Sequence, residues 1–169
     1  GHSLGGVVAS RFAAKNKNVD GVVLLASYPS NDDLKQLRKE VVSIWGSKDG
    51  VIKFENLIES KDKLPEDTTY VEIEGANHAQ FGDYGKQKGD YDALISEEKQ
   101  LNITLNSIVK LLKKIENNAG YQFGSLNYLY ILNNGCGRSD LPIFCLSIAN
   151  FKVFYIYLNH SILHILVQP

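Results

Sequence analysis

The sequence predicts an α/β fold, a parallel sheet with helices on its flanks, and three observations carry that prediction. Helix-patterned and strand-patterned segments alternate in regular order from Gly1 to about Glu116. Val22-Val23-Leu24-Leu25-Ala26 is an unbroken apolar run, as a strand covered on both faces requires. The glycine-flanked serine of Gly1-His2-Ser3-Leu4-Gly5-Gly6 turns at once into a helical pattern.

Each element follows in order. Leu4, Val8 and Phe12 recur at i, i+4, i+8 and predict a helix over Leu4–Lys15 with those three on one face. Ala9, Ala13 and Ala14 let it lie close to a sheet, and Asn16-Lys17-Asn18 ends it. The first strand spans Val19–Ala26. Asn31 or Asp32 then caps a short helix through Glu40. Val41–Trp45 is the second strand, closed by Gly46-Ser47-Lys48-Asp49-Gly50. Val51–Lys63 is helical, with Val51, Phe54, Leu57 and Ile58 facing one way and Pro65 ending it. Thr69–Glu74 alternates as a strand with one wetter face does. A loop holding His78 follows. The last helix runs from Ser96 to about Glu116, with Leu101, Leu105, Ile108, Leu112 and Ile115 as its apolar stripe. Ser96 caps it, and Glu97 and Glu98 suit the positive end of its dipole.

The 169 residues suffice for one domain with a sizeable core. A net charge of -1 gives no electrostatic basis for nucleic acid or anionic membrane partners. Cys136 and Cys145 match no zinc or redox spacing, nothing requires an oxidising compartment, and cytoplasmic residence is the default reading. No signal peptide is visible. Of 18 basic and 19 acidic residues, only Arg138, Asp140 and Lys152 lie beyond Asn117. That shift sets a boundary: 1–117 as the α/β unit and 118–169 as a hydrophobic, low-charge tail.

Gly1-His2-Ser3-Leu4-Gly5 has the form G-x-S-x-G directly before a helix, which is the pattern of a nucleophile elbow. The serine of such a turn is held at strained φ/ψ, and the glycines at its flanks avoid collisions with neighbouring strands. A serine hydroxyl needs a base to take its proton, and the base needs an orienting carboxylate. Ser3, Asp49 and His78 supply these in the order serine, acid, histidine. All three fall at C-terminal ends of parallel strands, where open α/β sheets place their sites. Asp32 and Asp33 are the rival acids, better explained as a helix cap, and Asp83 reads as a loop cap. His2 packs beside the nucleophile. Tyr28, Phe81 and Tyr84 are candidate acyl-pocket residues, as is His2. His160 and His164 have the spacing of a metal pair on a helix, but no nearby carboxylate completes a site, so no metal is expected.

The order of GHSLGG, WGSKDG and GANHAQFGDYG resembles the α/β-hydrolase superfamily over Gly1 to about Glu116. The wording around the histidine is similar to that of small dienelactone-hydrolase-like esterases. The resemblance implies ester or lactone hydrolysis without cofactor or metal. Ser3 would be the nucleophile, His78 the base and then the acid, and Asp49 the residue that holds the imidazole. The Leu4 N–H would give half of the oxyanion hole. The other half comes, in that family, from a loop after an early strand. The chain opens on the elbow, without the strand that leads into it and without an initiator methionine. It therefore reads as the C-terminal part of a hydrolase domain, lacking the N-terminal strands. Loss of one oxyanion donor costs about 2.7–4 kcal/mol of transition-state stabilisation, so the expectation is a chain that is inactive or nearly so. Ser27 to Glu40 is too short for an inserted lid, which predicts an open site for small esters.

Leu141–Val167 is hydrophobic, but Asn150, Lys152, Asn159, His160, Ser161 and His164 interrupt it. No run of about 20 apolar residues spans a bilayer, and its β-branched and aromatic content equally suits strands. The tail's Asn-, Ile-, Tyr- and Phe-rich composition is what read-through of an AT-rich frame gives. Two further functional readings stand beside the hydrolase: acyl transfer or perhydrolysis on the same triad, and a non-catalytic remnant or interaction module with no enzymatic role.

Overall fold

The computed structural model describes residues 1–82 and 85–119, together with the backbone of strands at 143–148, 151–157 and 162–164. It divides into two units, Gly1–Ile115 and Glu116–Pro169. Asp83, Tyr84, His160 and the side chains of Cys136, Cys145 and His164 lie outside the described residues, as does most of 118–169.

In the first unit, β1 (Gly21–Leu25), β2 (Glu40–Gly46) and β3 (Thr69–Ile73) form a parallel sheet in that order. Val22 stands opposite Val41, and Ile44 opposite Val71. Alternation sends successive side chains to opposite faces. Val22, Leu24 and Val41 pack with Ala13, Leu34 and Leu64 on one face. Val42, Ile44 and Ile73 pack with Ala76, Phe81 and Leu111 on the other. Ala13 lies on helix α1 (Leu4–Lys15) and Leu111 on helix α3 (Glu97–Ala119), so one helix covers each face. Residues 1–3 run beside β1: His2 bridges Leu25 in parallel, Leu25 N–H donates to Gly1 O at 2.9 Å and Ser3 N–H to Leu25 O at 2.9 Å.

Four helical expectations change. The Leu4–Val8–Phe12 face of α1 is turned to solvent, with the three residues 75%, 62% and 60% exposed. The buried face is Gly6, Ser10 and Ala13. Small side chains allow the helix backbone to approach the sheet, and that closeness decides which face docks. A Cβ on Gly6 would sit 2.2 Å from Ser27 Oγ, whereas one on Gly5 would meet nothing within 4 Å. The flanking glycines are therefore not equivalent. Gly6→Ala should lower stability by about 1–3 kcal/mol. Gly5→Ala should be neutral or raise it by up to about 1 kcal/mol. Urea unfolding of the two variants checks the contrast, and equal midpoints would refute it.

The helix expected between Asp32 and Glu40 is a series of turns. The Asn31 amide donates to Asp33 Oδ2 at 2.6 Å, and only Leu34 and Leu37 pack against the sheet. So short a segment cannot offset the cost of helix nucleation. The helix expected at Val51–Lys63 is α2, Phe54–Glu59, followed by a 3-10 turn at Ser60–Lys63. It starts late because Asp49 Oδ1 accepts the N–H groups of Val51 and Ile52, at 2.9 and 2.8 Å, and fixes them in a turn. Val51 and Ile58 are exposed and Leu57 is the buried residue of α2.

α3 begins as expected. Ser96 Oγ accepts the Lys99 N–H at 3.2 Å. Its buried positions are Gln100, Thr104 and Leu111, so the sheet-facing stripe is rotated from Leu101, Leu105, Ile108 and Leu112, which are half-buried, while Ile115 of the expected stripe does pack against the core. In the second unit, β4 (Ile143–Ile148), β5 (Phe151–Tyr157) and β6 (Ile162–His164) form an antiparallel sheet in that order. No helix among the described residues is long and apolar enough to cross a membrane.

Candidate active site

The site is assembled where β1, β2 and β3 end. Ser3 sits between the extended residues and α1 at φ 51°, ψ -126°, a left-handed conformation that a non-glycine residue adopts only under constraint. The constraint is visible on both sides. Ser3 N–H is held by Leu25 O, and Ser3 O accepts the buried Ser27 hydroxyl at 2.6 Å. A Cβ on Gly1 would lie 2.4 Å from Gly5 O, so the turn closes tightly over its own first residue. The Leu4 N–H opens α1, and first-turn amides have no intrahelical partner. Among the described residues it has no other acceptor.

Asp49 and His78 approach from two loops stitched together. Lys48 N–H donates to Ala76 O at 2.8 Å, Ser47 N–H to Ile73 O at 3.1 Å, and Gly75 N–H to Ser47 Oγ at 2.8 Å. Gly46 makes this possible, because a Cβ there would lie 2.2 Å from Ala76 O. The result is a contact of 2.7 Å between Asp49 Oδ2 and His78 Nδ1, with both residues 2% exposed. A carboxylate accepts only, so Nδ1 carries the proton and Nε2 is left with its lone pair.

His2 lies against this pair. Its ring centroid is 4.5 Å from that of His78 and 6.0 Å from that of Phe81. Burial, with the His78 charge second, pushes the His2 imidazole down to about 4. The sign follows directly. Between about pH 6.5 and about pH 4 the unfolded chain binds the proton that folded His2 refuses, so stability falls as pH drops through that window. Melting temperature followed from pH 7 to pH 4 should decline less steeply for His2→Gln than for the natural chain. Parallel declines would contradict this.

The structure thus joins Asp49 to His78 and sets the residue preceding Ser3 against the His78 ring. It does not join Ser3 to His78 by a hydrogen bond: the Ser3 hydroxyl has no hydrogen-bond partner among the described residues. Tyr28 is tied elsewhere, its hydroxyl accepting from the Asn56 amide at 3.0 Å. Phe81 is buried in the core that packs against α3. Asp32 and Asp33 lie on exposed turns.

Sequence reasoning passed over the residues that hold the histidine loop. Every backbone amide from Asn77 to Gln80 is held by a side chain. Asn77 N–H donates to Gln100 Oε1 (3.2 Å), His78 N–H to Asp90 Oδ1 (3.3 Å), Ala79 N–H to Asp90 Oδ2 (2.8 Å) and Gln80 N–H to Asn77 Oδ1 (3.1 Å). The Gln100 amide also donates to Asn77 O at 3.0 Å, so this fully buried side chain pairs with both the N–H and the C=O of one residue.

Residues 1–102 match the alpha/beta hydrolase family. No curated protein and no solved structure matches the chain. With an elbow-like serine, a buried acid–histidine pair and a parallel sheet beneath them, the match accounts for more than half of the sequence, and the chain belongs to the alpha/beta hydrolase family.

Proposed function

We propose that the chain is a serine hydrolase that cleaves small carboxylic esters or lactones through an acyl-enzyme, on Ser3, His78 and Asp49. The observation that carries the reading is the buried 2.7 Å contact between Asp49 Oδ2 and His78 Nδ1. It leaves Nε2 available as a base, and the serine that would use it is held at strained backbone angles. His78 Nε2 takes the Ser3 proton as Oγ attacks the carbonyl carbon, and the Leu4 N–H stabilises the oxyanion. Collapse breaks the ester C–O bond, and His78 returns the proton to the departing alkoxide. Water then repeats the sequence on the acyl-enzyme. Asp49 holds the ring and stabilises its cation throughout.

A free hydroxyl on Ser3 is compatible with this chemistry, because catalytic hydrogen bonds are often long before substrate tightens them. The wording around His78 supports a dienelactone-hydrolase-like esterase within the family. The short stretch from Ser27 to Glu40 supports an open site for small substrates. p-Nitrophenyl acetate offered to the purified chain should give weak hydrolysis that Ser3→Ala removes. Hydrolysis undiminished in Ser3→Ala would reject the assignment.

A further inference from the structure

We propose that Asp90 is a positioning residue for the acid–histidine pair, acting through the backbone of both loops at once. The proposal rests on the reading of His78 as the base. Asp90 Oδ1 accepts the Gly50 N–H at 3.0 Å and the His78 N–H at 3.3 Å, while Oδ2 accepts the Ala79 N–H at 2.8 Å. Gly50 follows Asp49 in the chain. One carboxylate therefore clamps the peptide next to the acid and the two peptides that begin the 3-10 turn at the histidine.

The segment carrying Asp90 is built to lie there. Gly89 has φ +91°, a conformation that suits glycine, and a Cβ on Gly50 would sit 2.2 Å from Gly89 O. Two glycines thus let the strands of chain touch backbone to backbone. Tyr91 O accepts the Asn77 amide at 2.8 Å, and Tyr91 N–H donates to Asp90 Oδ1 at 3.1 Å, which fixes the carboxylate's own orientation. Asp49 and His78 meet across loops that no strand pairing holds beyond Gly46 and Ile73. Asp90 ties the two loops together beyond that point.

Asp90→Ala removes all the acceptors. Asp90→Asn keeps the size and Oδ1 but presents an NH₂ group to the Ala79 N–H. Two readouts in the full chain separate positioning from general stability. The first is the far-downfield proton resonance of His78 Nδ1–H against Asp49. The second is the rate at which a fluorophosphonate labels Ser3. In either variant that melts cooperatively, the resonance should shift or vanish and labelling should slow by about 10²-fold, the cost of a misplaced catalytic group. Should Asp90→Ala fail to fold, Asp90→Asn carries the test. A folded variant with the resonance in place and a natural labelling rate would overturn the proposal, whatever its melting temperature. If the natural chain shows no label at Ser3, the hydrolase reading fails, while the resonance still reports whether Asp90 sets the Asp49–His78 contact.

Discussion

Asp49→Asn should slow reaction at Ser3 by about 10⁴-fold while leaving the fold in place. The reason lies in how the two oxygens of Asp49 are divided. Oδ1 holds the amides of Val51 and Ile52, and Oδ2 alone faces His78 Nδ1. An asparagine can keep its carbonyl on the two amides, so the turn after β2 survives. Its NH₂ then faces Nδ1 and forces the other tautomer, with the proton on Nε2. A histidine protonated at Nε2 has no lone pair to accept the serine proton. The thermal transition should move little, since net loss of one such hydrogen bond is worth about 1 kcal/mol. Labelling kinetics and a melting curve on the same preparation read both arms. A variant that reacts at the natural rate would mean that Asp49 does not orient the base.

Gly46→Ala should damage fold and site together. Its Cβ would stand 2.2 Å from Ala76 O and 2.9 Å from Asn77 N, both backbone atoms that cannot swing aside. Relief requires the loop after β3 to move away from the end of β2, and that loop carries His78. The overpacking should cost about 1–3 kcal/mol. A displacement of the histidine by about 1 Å should reduce reaction at Ser3 by about 10²-fold. Urea unfolding and labelling rate together test this. A stable variant with undiminished labelling would show that the close approach of the two loops is incidental to the chemistry.

The sheet was legible because β1 and β2 are short apolar runs and β3 alternates, each closed by a Gly- or Pro-containing turn, a local signal. Ser3, Asp49 and His78 were singled out as candidates for a similar reason: each lies in or beside a glycine-containing turn. Helix periodicity was less informative. It found α1 but could not tell which face docks. Gly6, Ser10 and Ala13 win by allowing close approach, and the larger Leu4, Val8 and Phe12 remain outside. The start of α2 was misplaced because the Asp49 side chain competes for the amides of Val51 and Ile52, a tertiary role invisible in propensity. Asp90 carried no periodic or motif signal, since the amides it holds in the two loops are 11 to 40 residues away. The pairing of Gly50 with Gly89 marked the contact, but only after the chain was folded.

The most direct measurement is mass spectrometric mapping of the residue that a fluorophosphonate modifies in the natural chain. A serine-directed phosphonylation needs a deprotonated hydroxyl, so it reports the base as well as the nucleophile. The account predicts one slow adduct, on Ser3, that His78→Gln abolishes. An adduct spread over Ser27, Ser43 and other serines, or one at Ser3 that forms equally well without the imidazole, would contradict it.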